Sequence, residues 1–176
     1  GTVSNEIISH TDWLPTLLAA AGEPQIVEKL KQGHQAGDKQ FKVHPDGYNF
    51  LPYLTGQEEK GPRQGIIYFS DDGDLVALRY DNWKIVFAEQ RVQGTLQVWA
   101  EPFIFLRVPK VFNLRPDPFE RADTTSNTYW DWLIDRAYLI YAAQFLVREF
   151  LQTFMEYPPR MKPATFGVDQ ALEKME

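Results

Sequence analysis

Apolar residues recur at helical spacing near the start of the chain, directly after several residues that commonly cap helices. Ser9, Thr11 and Asp12 are alternative N-caps, because their side-chain oxygens can accept hydrogen bonds from the free N–H groups of a first turn. The pattern therefore predicts a helix from about Trp13 to Ala21, which Gly22 ends.

The following segment mixes short apolar stretches with polar turns. Ile26 to Gln32 predicts a short helix, and Lys31 to Asp38 predicts a polar loop with two glycines. Phe41 to Val43 is expected to form a short strand, and Tyr48 to Leu54 is typical of a short apolar helix broken by Pro52.

The period then changes from helical to the two-residue alternation of β-strands. Four strands are predicted, at Ile66–Phe69, Leu75–Tyr80, Trp83–Ala88 and Val111–Leu114. The Asp-Gly pair within Asp71–Asp74 is typical of a tight turn between the first two strands. Glu89 to Val108 is expected to be a loop, held extended by Pro102 and Pro109.

The last large element is a long helix, predicted from about Tyr129 to Tyr157, with Thr128 and Asp131 spaced for a capping box. Its apolar residues at helical spacing are Trp130, Leu133, Ile134, Ala137, Tyr141, Phe145 and Phe154. Because other faces also carry apolar residues, we expect the helix to be covered on more than one side. A last turn is predicted at Val168 to Lys174.

Together these patterns predict an α+β fold, with a small four-stranded antiparallel sheet packed by a long C-terminal helix. The chain has 176 residues, of which 44% are hydrophobic and 14% aromatic, so it can bury a substantial core. Its net charge of −6 disfavours nucleic acid as a partner. Its longest apolar region, Leu133 to Leu151, is interrupted by charged residues, so no membrane span is expected.

The start of the chain does not resemble a targeting signal. Gly1 to Glu6 lacks the basic and apolar regions of a secretory signal. The strand-like segment Val3 to Ile8 follows with no leading Met, so we expect the chain to be a part of something longer.

Asp71, Asp72 and Asp74 form the densest acidic group in the sequence. A calcium site is one interpretation, but the spacing does not match the regular calcium loop and no bidentate Glu follows at the required offset. Turn formation explains the Asp-Gly pair better, so no metal is predicted there.

The histidines give no metal-binding spacing on one element. His10 with Asp12 could form a ligand pair or a base with its orienting carboxylate, although helix capping is the more common role of such residues. His34 is expected to be solvated in a glycine-containing loop. His44 precedes the turn Pro45-Asp46-Gly47, where turn formation is the favoured interpretation.

No nucleophile motif is present. The four serines, Ser4, Ser9, Ser70 and Ser126, lie outside any Gly-x-Ser-x-Gly elbow, and the sequence has no phosphate-binding glycine loop. The absence of cysteine excludes disulfides and cysteine zinc sites. These residues alone therefore predict no self-contained active site.

Four segments, in order, resemble the C-terminal part of type I, formylglycine-dependent sulfatases, particularly bacterial arylsulfatases. They are Ser9–Gly22, preceded by Gly1–Ser4; Asp46–Gly56; Leu78-Arg79 with Trp83-Lys84; and Phe112–Leu114 with Asp117–Glu120. The resemblance implies that residues 1–56 are the helical tail of a large alkaline-phosphatase-like α/β domain. Residues 57–176 would then be the C-terminal antiparallel sheet and long helix.

The resemblance also implies a parent enzyme that hydrolyses sulfate esters. Such enzymes use a formylglycine made in a Cys/Ser-x-Pro-x-Arg motif, beside a calcium or magnesium ion held by Asp and Asn. This chain has no cysteine, and no serine has proline two places later. The family's Asp-Asn pair and sulfate-binding lysine would precede Gly1, and Asp81-Asn82 is expected to be only a hairpin turn. No catalytic, cofactor-binding or metal-binding residue is therefore carried over, and the chain alone is predicted to lack sulfatase activity.

A substrate-bordering role is a further expectation for the polar and aromatic run between Glu89 and Glu101. Arg91 could face an anionic substrate group, Trp99 could stack on a ring, and Gln97 lies between them in the same run. The alternative is a solvated loop with Trp99 packed on the sheet. A periplasmic or secreted parent fits the resemblance.

The expected partner is the N-terminal sulfatase domain of the parent chain. Trp13, Leu14, Leu17 and Leu18 would form the face of the first helix that meets it. The alternative is a stand-alone, non-catalytic binding or oligomerisation domain, in which the same apolar face joins copies of the chain.

Overall fold

The computed structural model describes residues 1, 3–92 and 94–159, and the turn predicted at Val168 to Lys174 lies outside them. The described chain forms two compact units. The first comprises Gly1–Ile66 with Met155–Tyr157, and the second comprises Ile67–Phe154 with the described residues Pro158 and Pro159. The predicted assignment of residues 1–56 and 57–176 to two domains of a sulfatase stays a prediction.

The first unit is mainly helical. Its elements are a 3₁₀ helix (His10–Asp12), α1 (Trp13–Ala20), α2 (Ile26–Gln32), β1 (His34–Ala36), β2 (Lys39–Phe41) and α3 (Leu51–Leu54). Ser9 is the N-cap, and its backbone N–H donates to the Asp12 carboxylate at 2.7 Å. The helix predicted after this cap group is thus confirmed, with a 3₁₀ turn at its start.

The prediction of a polar loop at Lys31 to Asp38 is wrong. Residues 34–36 pair with residues 39–41 in a short antiparallel hairpin, with Ala36 opposite Lys39. Gly37, at φ 58°, allows the tight turn because it lacks the Cβ that disfavours this conformation. The strand predicted at Phe41 to Val43 accordingly lies earlier, at Lys39–Phe41.

The second unit contains a four-stranded antiparallel sheet, as predicted. Its strands are β3 (Gly65–Phe69), β4 (Leu75–Tyr80), β5 (Trp83–Glu89) and β6 (Ile104–Asn113), in that spatial order. The Asp-Gly turn forms between β3 and β4, with the Gly73 N–H donating to the Ser70 carbonyl at 3.0 Å. The helix α4 (Gln97–Ala100) lies in the connection between β5 and β6.

The fourth strand is longer than predicted, although a proline lies inside it. Val86 pairs with Lys110, whereas Ala88 pairs with Phe105, so the register shifts between them. Pro109 cannot donate to a ladder, and an irregular edge strand tolerates it. Extended backbone therefore runs from Ile104 instead of starting at Val111.

The helix predicted from Tyr129 to Tyr157 is divided in two. After the short α5 (Ala122–Thr125), α6 covers Tyr129–Ile134 and α7 covers Tyr138–Glu156. At the break, Arg136 donates from Nη1 to the Trp132 carbonyl at 3.1 Å, while its backbone N–H bonds Leu133. The side chain therefore occupies the acceptor that a continuous α-helix would use. The predicted capping box does not form, because Thr128 makes no side-chain cap hydrogen bond.

The core of the second unit lies between the sheet and these helices. Its buried residues are Ala77, Leu78, Ile85, Val86, Val111, Phe112, Tyr129, Leu133, Ala143 and Val147. The predicted packed face was partly wrong, because α6 turns Tyr129 and Leu133 to the core instead of Trp130 and Ile134. Leu133 is buried, but Trp130, Ile134, Tyr141 and Phe145 are 53–73% exposed, so α7 is not covered on every apolar side. No helix in the described ranges is long and apolar enough to span a membrane.

Candidate functional site

A buried ion pair organises the polar residues of the first unit. Arg63 donates to the Asp12 carboxylate from Nε at 2.7 Å and from Nη2 at 2.6 Å. The Asp12 side chain is fully buried and also accepts from the backbone N–H groups of Tyr48 and Ser9. Ser9, Thr11, Asp12, Tyr48 and Arg63 are hereafter the Asp12–Arg63 cluster.

The guanidinium of Arg63 is surrounded by further acceptors. Nη2 also donates to the Asp46 carbonyl at 2.8 Å and to Thr11 Oγ1 at 3.2 Å, and Nη1 donates to the Gly65 carbonyl at 3.0 Å. One face lies over the Tyr48 ring, with Cζ 4.8 Å from the ring centroid. All three guanidinium nitrogens therefore have protein partners.

The Asp12 carboxylate is held in its charged form. Burial raises the pKa of Asp12, but the hydrogen bonds from Arg63, Tyr48 and Ser9 outweigh burial, so the net pKa lies below the usual value. A carboxylate that is buried, paired and of low pKa is a poor proton acceptor for a substrate. The cluster therefore holds segments of the first unit together and does not act as a general acid or base.

Two other contacts hold the same segments together. The Thr16 hydroxyl donates to the Asp12 carbonyl at 2.7 Å and accepts from the Phe50 N–H at 2.9 Å. A Cβ on Gly47 would lie 2.0 Å from the Thr11 carbonyl oxygen, so only glycine allows this approach of the two backbones. The segment after Asp46 is thus fixed against the start of α1.

The histidines do not combine into a site. None of the hydrogen bonds of the Asp12 carboxylate comes from His10. Asp12 therefore does not orient His10 as a general base. His34 lies in β1, and His44 Nδ1 lies 3.1 Å from Asp46 Oδ1. Across the described ranges, no group of three or more histidine or acidic residues could hold a metal ion.

The acidic turn is organised by a serine. Ser70 Oγ accepts from the backbone N–H groups of Asp72 at 3.2 Å and Asp74 at 3.1 Å. Turn formation, the favoured interpretation of this segment, is what the structure displays. Asp81-Asn82 is also a hairpin turn, with Asp81 at φ 51° and the Asn82 carbonyl accepting from the Leu114 N–H.

The serines have structural partners. Ser9 and Ser70 organise turns, Ser4 Oγ lies 2.6 Å from the Tyr53 hydroxyl, and Ser126 Oγ lies 3.2 Å from Thr128 Oγ1. None of the hydrogen bonds that these hydroxyls make within the described ranges involves histidine. A serine activated by a base is therefore not formed among these residues.

Ion pairs in the second unit join strands to the segments that follow them. Lys84 Nζ lies 2.7 Å from Glu120 Oε1 and 5.1 Å from the Tyr68 ring centroid. Lys110 bonds Glu89 at 2.5 Å and Asp123 at 2.7 Å. Burial lowers the pKa of Lys110, but its two carboxylate partners outweigh burial and raise it overall.

The three predicted substrate-bordering residues lie in one connection of the second unit. Gln90 Nε2 donates to the carbonyls of Val98 and Glu101, both at 2.6 Å, and so ties the end of β5 to α4. Gln97 begins α4, and Trp99 within it is 79% exposed, so the alternative in which Trp99 packs on the sheet is wrong. Arg91 Nε lies 3.1 Å from Glu89 Oε1. Contact of these residues with a substrate stays a prediction.

A sulfatase is among the solved structures to which the chain is similar. No protein-family model matches the chain, and no curated protein matches it. The crystal structure of the PsFucS1 sulfatase from Pseudoalteromonas sp. is similar over 70% of this chain, with a TM-score of 0.49 and 24% sequence identity. The chain spans only 23% of that protein.

Sequence reasoning missed Arg63, whose side chain makes five hydrogen bonds in the first unit. Its partner Asp12 is 51 residues away, so no local spacing indicates the pair. The nearest available signal was Asp12 itself, because a capping carboxylate that becomes buried needs a cation.

Proposed function

We propose that this chain is the C-terminal part of an arylsulfatase-like sulfuric ester hydrolase, with a structural role in the parent enzyme. The formylglycine and the metal site would be supplied by an upstream domain. The chain's own contribution would be a rigid support for that domain and a loop at the border of the substrate pocket.

One observation carries the proposal: the segments that resemble the family contact each other through their polar residues. Asp12, in the first segment, accepts from the Tyr48 N–H of the second, and Thr16 bonds Phe50 in the same pair of segments. Lys84, in the third segment, pairs with Glu120 of the fourth. The four motifs, each weak by itself, thus contact one another in two pairs. These contacts give each motif a structural role.

The described residues do not fit the family's metal ion. No group of three histidine or acidic residues converges in the described part of the chain, and Asp81-Asn82 is used for a hairpin turn. We therefore assign no catalytic step to this chain. A purified sample of the 176-residue chain is expected not to hydrolyse an aryl sulfate with added calcium or magnesium. Measurable metal-dependent turnover would refute the proposal.

The docking role belongs to α1. Its buried side carries Pro15, Thr16 and Ala19, whereas Trp13, Leu14 and Leu17 are 45–63% exposed. An apolar face of this kind fits burial against the upstream domain. Leu18, which was predicted in the same face, is half-buried.

The same face supports the second candidate, a stand-alone oligomerisation domain. Sedimentation of the chain separates the two functions. A defined dimer that Leu17→Lys abolishes, while the exposed control Leu96→Lys does not, would favour oligomerisation through α1. A monomer at all concentrations would favour the upstream domain as the partner.

The substrate-bordering role is tested in the complete enzyme. Arg91→Ala is expected to raise KM for the natural sulfate ester with little change in kcat, because Arg91 would bind the substrate's anionic group in the ground state and the transition state alike. Trp99→Ala should act in the same direction, as should the weaker Gln97→Ala. Arg115→Ala, at another exposed arginine of the second unit, is the matched control. Unchanged kinetics for Arg91→Ala would end this part of the proposal.

A further inference from the structure

Four charged side chains of the second unit are connected by successive ion pairs. Lys110 Nζ donates to Asp123 Oδ2 at 2.7 Å and to Glu89 Oε2 at 2.5 Å. Glu89 Oε1 in turn accepts from Arg91 Nε at 3.1 Å. Asp123, Lys110, Glu89 and Arg91 are hereafter the Arg91 network, which joins α5 and β6 to the end of β5.

Side-chain exposure increases along the Arg91 network towards its arginine. It rises from 11% at Asp123 through 19% at Lys110 and 24% at Glu89 to 63% at Arg91. A charge that is largely removed from water depends on its partner, because little solvent can replace that partner. The three inner charges therefore anchor one another, and the guanidinium of Arg91 is the end that solvent reaches.

Glu89 offers one carboxylate oxygen to each of two cations. Burial raises the pKa of Glu89, but the hydrogen bonds from Lys110 and Arg91 outweigh burial, so the net pKa lies below the usual value. The carboxylate is thus charged at neutral pH, and Lys110 fixes the oxygen that faces away from Arg91. The remaining oxygen is held in place for the Arg91 Nε–H.

Arg91 itself keeps one edge of its guanidinium open. Within the described ranges its side chain makes one hydrogen bond, from Nε to Glu89. The edge formed by Nη1 and Nη2 therefore remains available to an oxyanion, which guanidinium groups bind through two parallel N–H bonds. The neighbouring backbone is also held, because Gln90 Nε2 donates to the carbonyls of Val98 and Glu101.

We propose that Glu89 and Lys110 are positioning residues, which hold the Arg91 guanidinium with its Nη1–Nη2 edge turned towards an anionic group of the substrate. Asp123 would act through Lys110, by keeping that lysine beside Glu89. A side chain that is oriented before binding loses less conformational freedom when the ligand arrives, so the network should strengthen substrate binding. The inference rests on the proposed function, because Arg91 is one of its substrate-bordering residues.

The positioning itself is tested in the 176-residue chain without substrate. NMR measures the exchange of arginine Nε–H groups with solvent, and the Arg91 signal is assigned by its loss in Arg91→Lys. We expect Arg91 to exchange about two- to fivefold more slowly than the exposed Arg115, as one partly exposed ion pair would give. Glu89→Gln and Lys110→Gln should each accelerate this exchange, and Lys84→Gln should not. Equal exchange of Arg91 and Arg115 in the wild-type chain would overturn the proposal.

The effect on binding is measured in the complete enzyme with 4-carboxyphenyl sulfate, a probe that carries an anionic group at each end. Glu89→Gln and Lys110→Gln should each raise KM by about two- to fivefold, with little change in kcat. If Glu89 acted on the substrate through its charge alone, its removal would lower KM for an anion instead.

Two further variants serve as controls for Lys110. Lys110→Arg keeps the charge and should retain most of the wild-type KM. Lys84→Gln should leave KM unchanged, because Lys84 has a matched exposure of 20% but pairs with Glu120 outside the Arg91 network. A rise in KM for Lys84→Gln as large as that for Lys110→Gln would overturn the specific role of Lys110.

The kinetic outcomes separate this inference from the proposed function. If Arg91→Ala raises KM while Glu89→Gln leaves it unchanged or lowers it, the positioning role is overturned and the substrate-bordering role of Arg91 stands. If Arg91→Ala leaves KM unchanged, the substrate-bordering role fails and the inference fails with it. Thermal melts show whether each variant folds. Glu89→Gln keeps the test decisive if Lys110→Gln does not fold, because Lys110 then retains Asp123 as its partner.

Discussion

Two arginines, Arg63 in the first unit and Arg136 in the second, have contrasting surroundings. Arg63 is buried against the Asp12 carboxylate and donates to two carbonyls. Arg136 lies on the Trp132 ring, and within the described ranges its side chain makes one hydrogen bond, to a backbone carbonyl. An arginine whose guanidinium nitrogens all have acceptors, such as Arg63, holds segments of the chain together. An arginine that lies on an aromatic ring with few acceptors, such as Arg136, stays available to a ligand.

The largest expected effect comes from removing the saturated arginine. Arg63→Ala should destabilise the first unit by about 3–5 kcal/mol, because Asp12 would keep a buried charge without its partner. Arg136→Ala should cost only about 0.5–1.5 kcal/mol, the usual contribution of one hydrogen bond. Hydrogen exchange of the Tyr48 and Phe50 amides reports the first loss locally. Equal losses of folding stability in the two variants would contradict the contrast between Arg63 and Arg136.

Asp12→Asn should cost a similar amount at pH 7, about 3–5 kcal/mol, since it removes the charge that Arg63 requires. The folded pKa of Asp12 lies below its usual value of 3.8. The stabilisation is therefore present above pH 3.8 and is lost as the pH falls through the folded pKa. The difference between wild type and Asp12→Asn should shrink over that acid range in urea unfolding curves. Asp71→Asn, at the exposed turn, is the control, and a difference that persists in acid would contradict the ion pair's role.

Gly47→Ala tests whether backbone approach matters as much as charge in the first unit. Its new Cβ would lie 2.0 Å from the Thr11 carbonyl oxygen, so the segments must separate. We expect a loss of about 1–3 kcal/mol or more, the usual range for overpacking. Gly56→Ala, which meets no atom within 4 Å but has a positive φ, separates the clash from conformational strain. If Gly56→Ala lowers the melting temperature more than Gly47→Ala does, the close-approach argument is contradicted.

Tyr129→Phe is the corresponding polar deletion in the core of the second unit. The Tyr129 hydroxyl accepts from the Val111 N–H and donates to the Val111 carbonyl, both at 3.0 Å, and burial raises its pKa to about 12. Its removal should cost about 1–3 kcal/mol, because both backbone groups lose a buried partner. Tyr138→Phe, at an exposed ring, should change the unfolding free energy very little. A similar loss for both variants would contradict this.

The smallest expected effect is at the Lys84–Glu120 pair. Both side chains are partly exposed, at 20% and 30%, so Lys84→Gln should cost about 0.2–1 kcal/mol. The loss should decrease in high salt, which screens such pairs. A double-mutant cycle with Lys84→Gln and Glu120→Gln measures the interaction free energy of the pair. A coupling as large as that of Asp12 and Arg63 would remove the distinction between saturated buried pairs and exposed ones.

The elements that the sequence predicted correctly are those with local causes. The Asp-Gly turn and the alternation around it placed β3, β4 and β5, and the residues around Ser9 placed the first helix. The break after Ile134 was missed because no local sequence pattern marks it; there the Arg136 side chain, and not its backbone N–H, bonds the Trp132 carbonyl. The early start of β6 was missed because Pro109 normally argues against a strand, and a register shift accommodates it here.

The candidate sites were less predictable than the fold. The acidic turn and the serines took the structural roles that their sequence context favoured. Arg63 and Gly47 could not be found, since their partners are remote in sequence and only the folded backbone brings them together. The Arg91 network was missed for the same reason, because Lys110 lies 21 residues from Glu89 and 13 residues from Asp123.

The most direct test of the sulfatase proposal is to sequence the coding region upstream of the Gly1 codon. We predict an in-frame Cys/Ser-x-Pro-x-Arg motif there, within a region long enough to encode a large α/β domain. A start codon adjacent to the Gly1 codon, or a long in-frame region without that motif, would contradict the proposal.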